Sequence, residues 1–265
     1  MGAPSRINDD LNINRINSIV REVIDNYIKT KNRTFNSSGR YITHDANSYD
    51  KKLAKVLEHS MIIPNATAAM VEQFCAEAVR YGFVNVSVPV CFVKMAAELL
   101  KGTGVKTSSA VSFPYGNTTT RMKVEETLEI INLGGVEIDL PINIGMLKSD
   151  DVQSISREIK SVLEAAGQRA LIKVVVDLGQ LTREEQIKIA LIAQMSGAPF
   201  LKVAAGSKPD GVTQEDIKMI RAAVGSNIGI KADGGIRNHE AAVKVIEAGA
   251  NRIGASRSVK IVTFG

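Results

Sequence analysis

From Leu57 onward the chain repeats one unit: a short β-rich apolar run, then a longer stretch with apolar residues at helical spacing. The short runs fall near 57–63, 83–88, 105–112, 136–142, 170–177, 199–204, 228–232 and 251–254. Between them lie amphipathic patterns such as Ala66–Tyr81, Asp150–Ala166, Thr182–Met195 and His239–Ala248. Several open on start signals: Asn65 before an Ala-rich stretch, Ser149-Asp-Asp before Val152, and Thr182-Arg-Glu-Glu as a capping box. Eight strands alternating with seven helices predict an α/β fold, and the even repeat favours a closed (β/α)8 TIM barrel over an open doubly wound sheet. Only Ser256 to Gly265 follow the eighth run, so the last helix is expected to be short or missing.

Upstream the pattern changes. Residues 1–56 form an N-terminal helical extension to the barrel of 57–265. Its first part carries a helical stripe (Ile13, Ile16, Ile19, Val20, Val23, Ile24 and Ile28), residues 33–46 are rich in turn formers, and a short helix is expected near 47–56. The stripe needs an apolar partner, either the barrel or another subunit.

At 45% hydrophobic residues the chain can bury a large aliphatic core. Its net charge is +5, but Lys and Arg are interspersed with Asp and Glu and form no basic run with interleaved aromatics. A small phosphorylated substrate therefore fits the charge better than nucleic acid does. Cys75 and Cys91 belong to no metal or redox motif, and His44, His59 and His239 lack ligand spacing, so no metal is expected. Two free cysteines, no apolar leader segment and no membrane-length run point to a cytoplasmic protein.

Charged residues inside the apolar runs supply the candidate chemistry. Lys202 in Ala-Pro-Phe-Leu-Lys-Val-Ala-Ala-Gly and Lys231 in Ile-Gly-Ile-Lys-Ala-Asp-Gly-Gly stand 29 positions apart on successive strands. A buried lysine costs several kcal/mol unless paired, neutralised or used. Two facing lysines would each ease deprotonation of the other, which is one route to a nucleophilic amine and Schiff-base chemistry. The alternative for any one of them is a core lysine sealed by an ion pair. Asp139 interrupts strand four and Lys173 strand five, which assembles an Asp–Lys–Lys–Lys cluster at the carboxyl end of the barrel. Gly234-Gly235 and Gly254-Ala-Ser256 follow strands seven and eight, where barrels commonly hold phosphate.

These residues resemble the deoxyribose-phosphate aldolases, class I enzymes of the (β/α)8 fold. The resemblance runs from about Leu57 to the end. It is closest in Leu99-Leu-Lys-Gly-Thr-Gly-Val-Lys106, Phe113-Pro-Tyr-Gly116, Gly135-Val-Glu-Ile-Asp139, Asn143-Ile-Gly-Met-Leu-Lys-Ser149, Lys231-Ala-Asp-Gly-Gly-Ile-Arg237 and Arg252-Ile-Gly-Ala-Ser256. The resemblance implies that Lys202 forms the imine and that Lys231 lowers its pKa and keeps it neutral. It also implies that Asp139, with Lys231 and a water, moves protons. Gly206, Gly234, Gly235 and Ser256 fall where the family holds the substrate phosphate, and Lys173 and Ser60 complete the candidate substrate-binding set. The implied reaction is reversible cleavage of 2-deoxy-D-ribose 5-phosphate to acetaldehyde and glyceraldehyde 3-phosphate, without cofactor, by a homodimer or higher homo-oligomer.

The departures gather on the substrate side. Val203-Ala204-Ala205 replaces the family's Thr-Ser-Thr, and Glu58-His59-Ser60 replaces Asp-His-Thr. Ser87 stands for a Cys, Pro89 for an Asn and Pro141 for an aliphatic residue. Two alternatives follow: a Schiff-base aldolase of the same mechanism acting on a different carbonyl, or a catalytically silent paralogue that binds a phosphometabolite.

Overall fold

A computed structural model describes residues 49–264. The expected extension therefore lies largely outside the described residues. Its last piece is a short helix, α1 (Lys51–Ala54), capped by the Asp50 carboxylate. Eight parallel strands follow: β1 (Leu57–Ser60), β2 (Asn85–Ser87), β3 (Lys106–Ala110), β4 (Glu137–Pro141), β5 (Leu171–Asp177), β6 (Phe200–Ala204), β7 (Gly229–Asp233) and β8 (Arg252–Ala255). They close in sequence order, with β8 paired to β1. This is the (β/α)8 barrel that the hydrophobic pattern predicts.

The helices between strands are α2 (Ala68–Tyr81), α3 (Val93–Leu99), α4 (Thr120–Asn132), α5 (Ile144–Lys148), α6 (Val152–Ala166), α7 (Arg183–Met195), α8 (Gln214–Val224) and α9 (His239–Glu247). Thr182 opens α7 through the expected capping box, and Asp151 caps α6 by accepting from Ser154 N. Asn65 does not cap α2. Thr67 is extended and accepts from Met70 N, so Pro64 and Asn65 belong to the preceding loop. The last helix, α10 (Ser258–Val262), is short. Leu53 and Ala54 of α1 are buried, and Asp50 N donates to Val262 O, so this segment closes over α10.

Register divides each strand into two faces. His59, Val86, Ile138, Leu140, Ile172, Val174, Leu201, Val203, Ile230, Ala232 and Ile253 alternate with the charged residues of the interior and are buried. Most are aliphatic and pack beneath the helices, each Val, Leu or Ile contributing roughly 1.5–3 kcal/mol of burial. His59 belongs to this outer face, stacked on Phe74 at 3.9 Å and bonded to Glu77 at 2.9 Å. The other face points into the barrel. It carries Glu58, Asn85, Glu137, Asp139, Lys173, Lys202, Lys231, Asp233 and Arg252, which a barrel interior tolerates only as a paired set.

Candidate active site

Strand pairing sets Lys202 of β6 directly beside Lys231 of β7. Between them lies Asp139 of β4, whose Oδ2 is 2.9 Å from Lys202 Nζ and 3.1 Å from Lys231 Nζ. Two residues beyond Lys231, and so on the same face, Asp233 brings Oδ2 to 3.1 Å from Lys202 Nζ and 3.3 Å from Lys231 Nζ. These are ion-pair distances without hydrogen-bond alignment at that oxygen. Gly254 of β8 makes the arrangement possible. A Cβ there would meet Asp233 Oδ2 at 2.4 Å and Lys231 Cε at 2.6 Å.

Beneath this group lies a second ionic layer. Lys173 Nζ is 2.9 Å from Glu58 and 2.6 Å from Glu137, while Arg252 reaches Glu137 at 2.7 Å and Glu58 at 3.3 Å. Asn85 donates to Glu137 at 2.9 Å. Glu58 also reaches Lys231 at 2.8 Å and so ties the two layers together. Four carboxylates (Glu58, Glu137, Asp139, Asp233) face four cations (Lys173, Lys202, Lys231, Arg252), with Lys106 at the exposed rim beside Glu137. Burial works against the charge of Glu58, but Lys231 and Lys173 outweigh it and hold its pKa down at about 2. Burial likewise opposes ionisation of Asp139, and Lys202 and Lys231 reverse that effect, keeping it a carboxylate.

The same balance corrects the expectation that Lys231 keeps Lys202 neutral. Burial disfavours the Lys202 ammonium and Lys231 repels it, but Asp139 and Asp233 outweigh both and raise its pKa. Lys231 is raised well above the ordinary lysine value, because Asp139, Glu58 and Asp233 overcome its burial. The resting pair is two ammonium groups bridged by carboxylates. A facing cation does lower the pKa of Lys202, but two anions in contact outweigh one.

The cluster opens onto a cleft at the carboxyl ends of the strands. One lobe of about 520 Å³ is lined by Pro141, Val175, Asp177, Ala204, Ala205, Gly206, Lys208 and Gly211, and another of about 400 Å³ by Ser60, Ile62, Gly254, Ser256 and Arg257. The two share Phe113, Lys202, Asp233, Gly234, Gly235 and Arg237. Gly234 and Gly235 both take positive φ (+97° and +80°), a turn that other residues enter only with strain, and Gly235 packs against the backbone of Gly211. Arg237, Arg257 and Lys208 line this part of the cleft, with Lys208 paired to the Asp216 carboxylate. A third, largely apolar lobe of about 370 Å³ lies beside Ile62, Ile63, Pro89, Val90 and Phe113.

Of the residues singled out from sequence, Lys202, Ser60, Gly206, Gly234, Gly235 and Ser256 line the cleft, and behind it Asp139 contacts Lys202 and Lys231 together. Lys173 does not reach the cleft. It is fully buried between Glu58 and Glu137, with Asp139 Oδ1 3.9 Å away. Val203 is also outside, on the helix-facing side, so of the three departures after Lys202 only Ala204 and Ala205 change the cleft wall. Sequence reasoning gave no role to Asp233, Arg237, Arg257 or Lys208. The period-two rule, applied onward from Lys231, was the available signal for Asp233. Among the described residues no group of three or more His, Cys, Asp or Glu side chains is arranged to hold a metal ion, and no helix is long and apolar enough to cross a membrane.

Lysines and carboxylates gathered beside a cleft at the carboxyl ends of the strands mark the catalytic face of a (β/α)8 enzyme, and the comparisons with known proteins specify which. The chain is 43% identical over 212 residues to the deoxyribose-phosphate aldolase of Thermoanaerobacter sp. (strain X514), covering 79% of this chain and 95% of that one. It is 44% identical over 212 residues to the enzyme of the same name from Caldanaerobacter subterraneus subsp. tengcongensis, covering 79% and 92%. Among solved structures, the tetrameric deoxyribose phosphate aldolase of Aeropyrum pernix superposes with a TM-score of 0.73 at 25% identity, covering 80% of this chain and 89% of that one. Another solved aldolase superposes with a TM-score of 0.75 at 32% identity, covering 79% and 93%. No family model matches the chain. The chain belongs to the deoxyribose-phosphate aldolase family and is an aldolase.

Proposed function

We propose that the chain is a class I aldolase that cleaves 2-deoxy-D-ribose 5-phosphate reversibly through a Schiff base on Lys202. The observation that carries this reading is the position of Lys202 Nζ. It is the lysine nitrogen at the junction of both cleft lobes, flanked by two carboxylates and a second lysine. After losing a proton, the amine attacks the aldehyde carbon and the carbinolamine loses water. The resulting iminium accepts the electron pair of the bond between the second and third carbons as that bond breaks, while the hydroxyl on the third carbon gives its proton to a water and becomes the aldehyde oxygen of the leaving fragment. Glyceraldehyde 3-phosphate departs, and protonation and hydrolysis of the enamine release acetaldehyde. Asp139 fixes Lys202 and Lys231 through one oxygen and, with Lys231 and a water, serves the proton exchanged at the carbon next to the imine. The rim of Arg237, Arg257 and Lys208, with Ser256 and the Gly234-Gly235 turn, is assigned to the phosphate.

Ala204 and Ala205 favour one second reading, the same chemistry on a carbonyl substrate with fewer hydroxyls, because these methyl groups offer no hydrogen bond to a sugar. Acetaldehyde release from 2-deoxyribose 5-phosphate, set beside a panel of less hydroxylated aldols, separates the two. Preferred cleavage of the sugar phosphate supports the first reading. Its rejection alongside turnover of the others establishes the second. We further propose a homo-oligomer, in line with the tetrameric relative of solved structure; a mass from light scattering equal to one chain would contradict it.

A further inference from the structure

The ionic cluster at the barrel mouth has four charged side chains within reach of one another, and they do not have equal access to a ligand. Lys231 and Asp139 are fully buried. Among the described residues, neither lines a lobe of the cleft, whereas Lys202 and Asp233 line both large lobes. The Asp233 side chain is 19% exposed, against 1% for Asp139. Its Oδ2 is itself shielded from solvent, within 3.1 Å of the Lys202 nitrogen, and held by no aligned hydrogen bond, so the exposed surface belongs to the rest of the side chain. Asp139 Oδ2, by contrast, accepts hydrogen bonds from both lysines. Asp233 also sits in register beside Ala204, so its neighbour on β6 offers a methyl group and no competing donor. The charges around Asp233 are Lys202 on β6, Lys231 on its own strand, Asp139 on β4, and the cleft residues Arg237, Arg257, Lys208 and Asp177. Gly254 on β8 leaves room for the carboxylate, as a side chain there would collide with it.

A carbonyl carbon placed for attack by Lys202 has to enter from the cleft, and its oxygen then lies on the cleft side of the nitrogen. Of the two carboxylates in contact with Lys202 Nζ, Asp139 and Asp233, the one that lines the cleft is Asp233. We propose that Asp233 is a catalytic residue of this enzyme, the proton carrier between the Lys202 ammonium and the oxygen of the bound carbonyl. The assignment rests on Lys202 being the imine-forming residue. The Asp233 carboxylate takes one proton from the ammonium, leaving a neutral amine and a carboxylic acid. The amine attacks, its surplus proton moves from nitrogen to the oxyanion, and the carbinolamine forms. Asp233 then returns its proton to the carbinolamine hydroxyl, the carbon–oxygen bond breaks, water leaves, and the nitrogen lone pair closes the iminium. Ammonium and aldehyde have become iminium and water, and Asp233 is again a carboxylate.

A role confined to stabilising the resting ammonium predicts the opposite kinetics, since removing the Asp233 charge would then make Lys202 a better nucleophile. The two are separated by rapid mixing with acetaldehyde at neutral pH, borohydride quenching at successive times, and mass mapping of the reduced adduct. Wild-type protein should trap on Lys202. Asp233→Asn, with a thermal melt to show that it folds, should form the same adduct about 100-fold more slowly or worse, in the range typical of a lost acid–base group. Asp233→Ala should be slow in the same way and should be accelerated by added formate, a small carboxylate able to occupy the vacated space. A rate for Asp233→Asn within threefold of wild type, or faster, would overturn the assignment, as would an Asp233→Ala rate indifferent to formate. A missing wild-type adduct would sink the Schiff-base reading itself, and this assignment with it.

Discussion

Lys173 and Lys202 stand on adjacent strands of one barrel, both inward, both between two carboxylates, and only one of them can meet a substrate. Lys173 is sealed by Glu58 and Glu137 at 2.9 and 2.6 Å and has no exposed surface. Lys202 keeps 7% of its surface, and that surface faces two lobes of a cleft. Residue type, burial and pairing are nearly the same in the two layers. What differs is height along the barrel. Near the middle, a lysine among carboxylates is a structural tie. At the carboxyl ends of the strands, the same constellation borders on space for a ligand and becomes chemistry.

The largest effect that would sharpen this contrast is on turnover. Lys202→Ala should lower cleavage activity by more than about 10⁴-fold while leaving a cooperative melt, since it removes the attacking group itself. Residual activity near wild type would remove Lys202 from the mechanism. Lys173→Met should do the reverse. Glu58 and Glu137 lose one of the two cations they share, with Arg252 left between them, so chemical denaturation should show a loss of about 3–5 kcal/mol, with activity per folded molecule kept within a few-fold. If turnover vanished at unchanged stability, the two layers would not be functionally distinct.

Lys231→Leu tests the seam between the layers. Lys231 repels the Lys202 charge, so its removal raises the Lys202 pKa further, and the rate at neutral pH should fall roughly tenfold per unit of that rise. Part of that loss should return as pH is raised, so a flat profile would count against the lysine pair.

Stability against pH probes the whole cluster. Glu58 and Asp139 have depressed folded-state pKa values, so their contribution is complete above the ordinary carboxylate range and is lost as pH falls from about 4.5 toward 2. Lys202 and Lys231 have raised values, so theirs is complete below about 10 and declines as pH rises beyond it. Denaturation midpoints from pH 2 to 11 should therefore fall at both ends, and the acid limb should weaken in Glu58→Gln. An acid limb unchanged in that variant would contradict the pairing argument. The smallest expected effect is at the wall of the cleft. Ala205→Thr should improve use of 2-deoxyribose 5-phosphate by about three- to tenfold, the worth of one added hydrogen bond, measured as kcat/KM.

The barrel was legible because each strand states its two faces in its own letters. Val-Glu-Ile-Asp-Leu and Ile-Gly-Ile-Lys-Ala-Asp alternate apolar with charged or small residues, and the period of two sorts them outward and inward. The Thr182 capping box was readable because its chemistry is local, whereas Asn65 misled because Thr67, two residues on, offers an equally good cap. The lysine pair and Asp139 could be found as charges inside apolar runs. Their protonation could not, because it depends on which carboxylates come within ion-pair distance, and Glu58 and Asp233 arrive from strands far apart in the chain. Lys173 looked equivalent to Lys202 for the same reason: depth along the barrel axis is set by the stagger of the strands, which a single strand's sequence does not record.

The central claim is that the open lysine is the nucleophile and the sealed ones are not. Borohydride reduction in the presence of acetaldehyde, followed by mass mapping of every lysine-containing peptide, tests it directly. A single adduct on Lys202, absent from Lys173 and Lys231, is the predicted result. An adduct on either sealed lysine, or no adduct on folded protein, would contradict it.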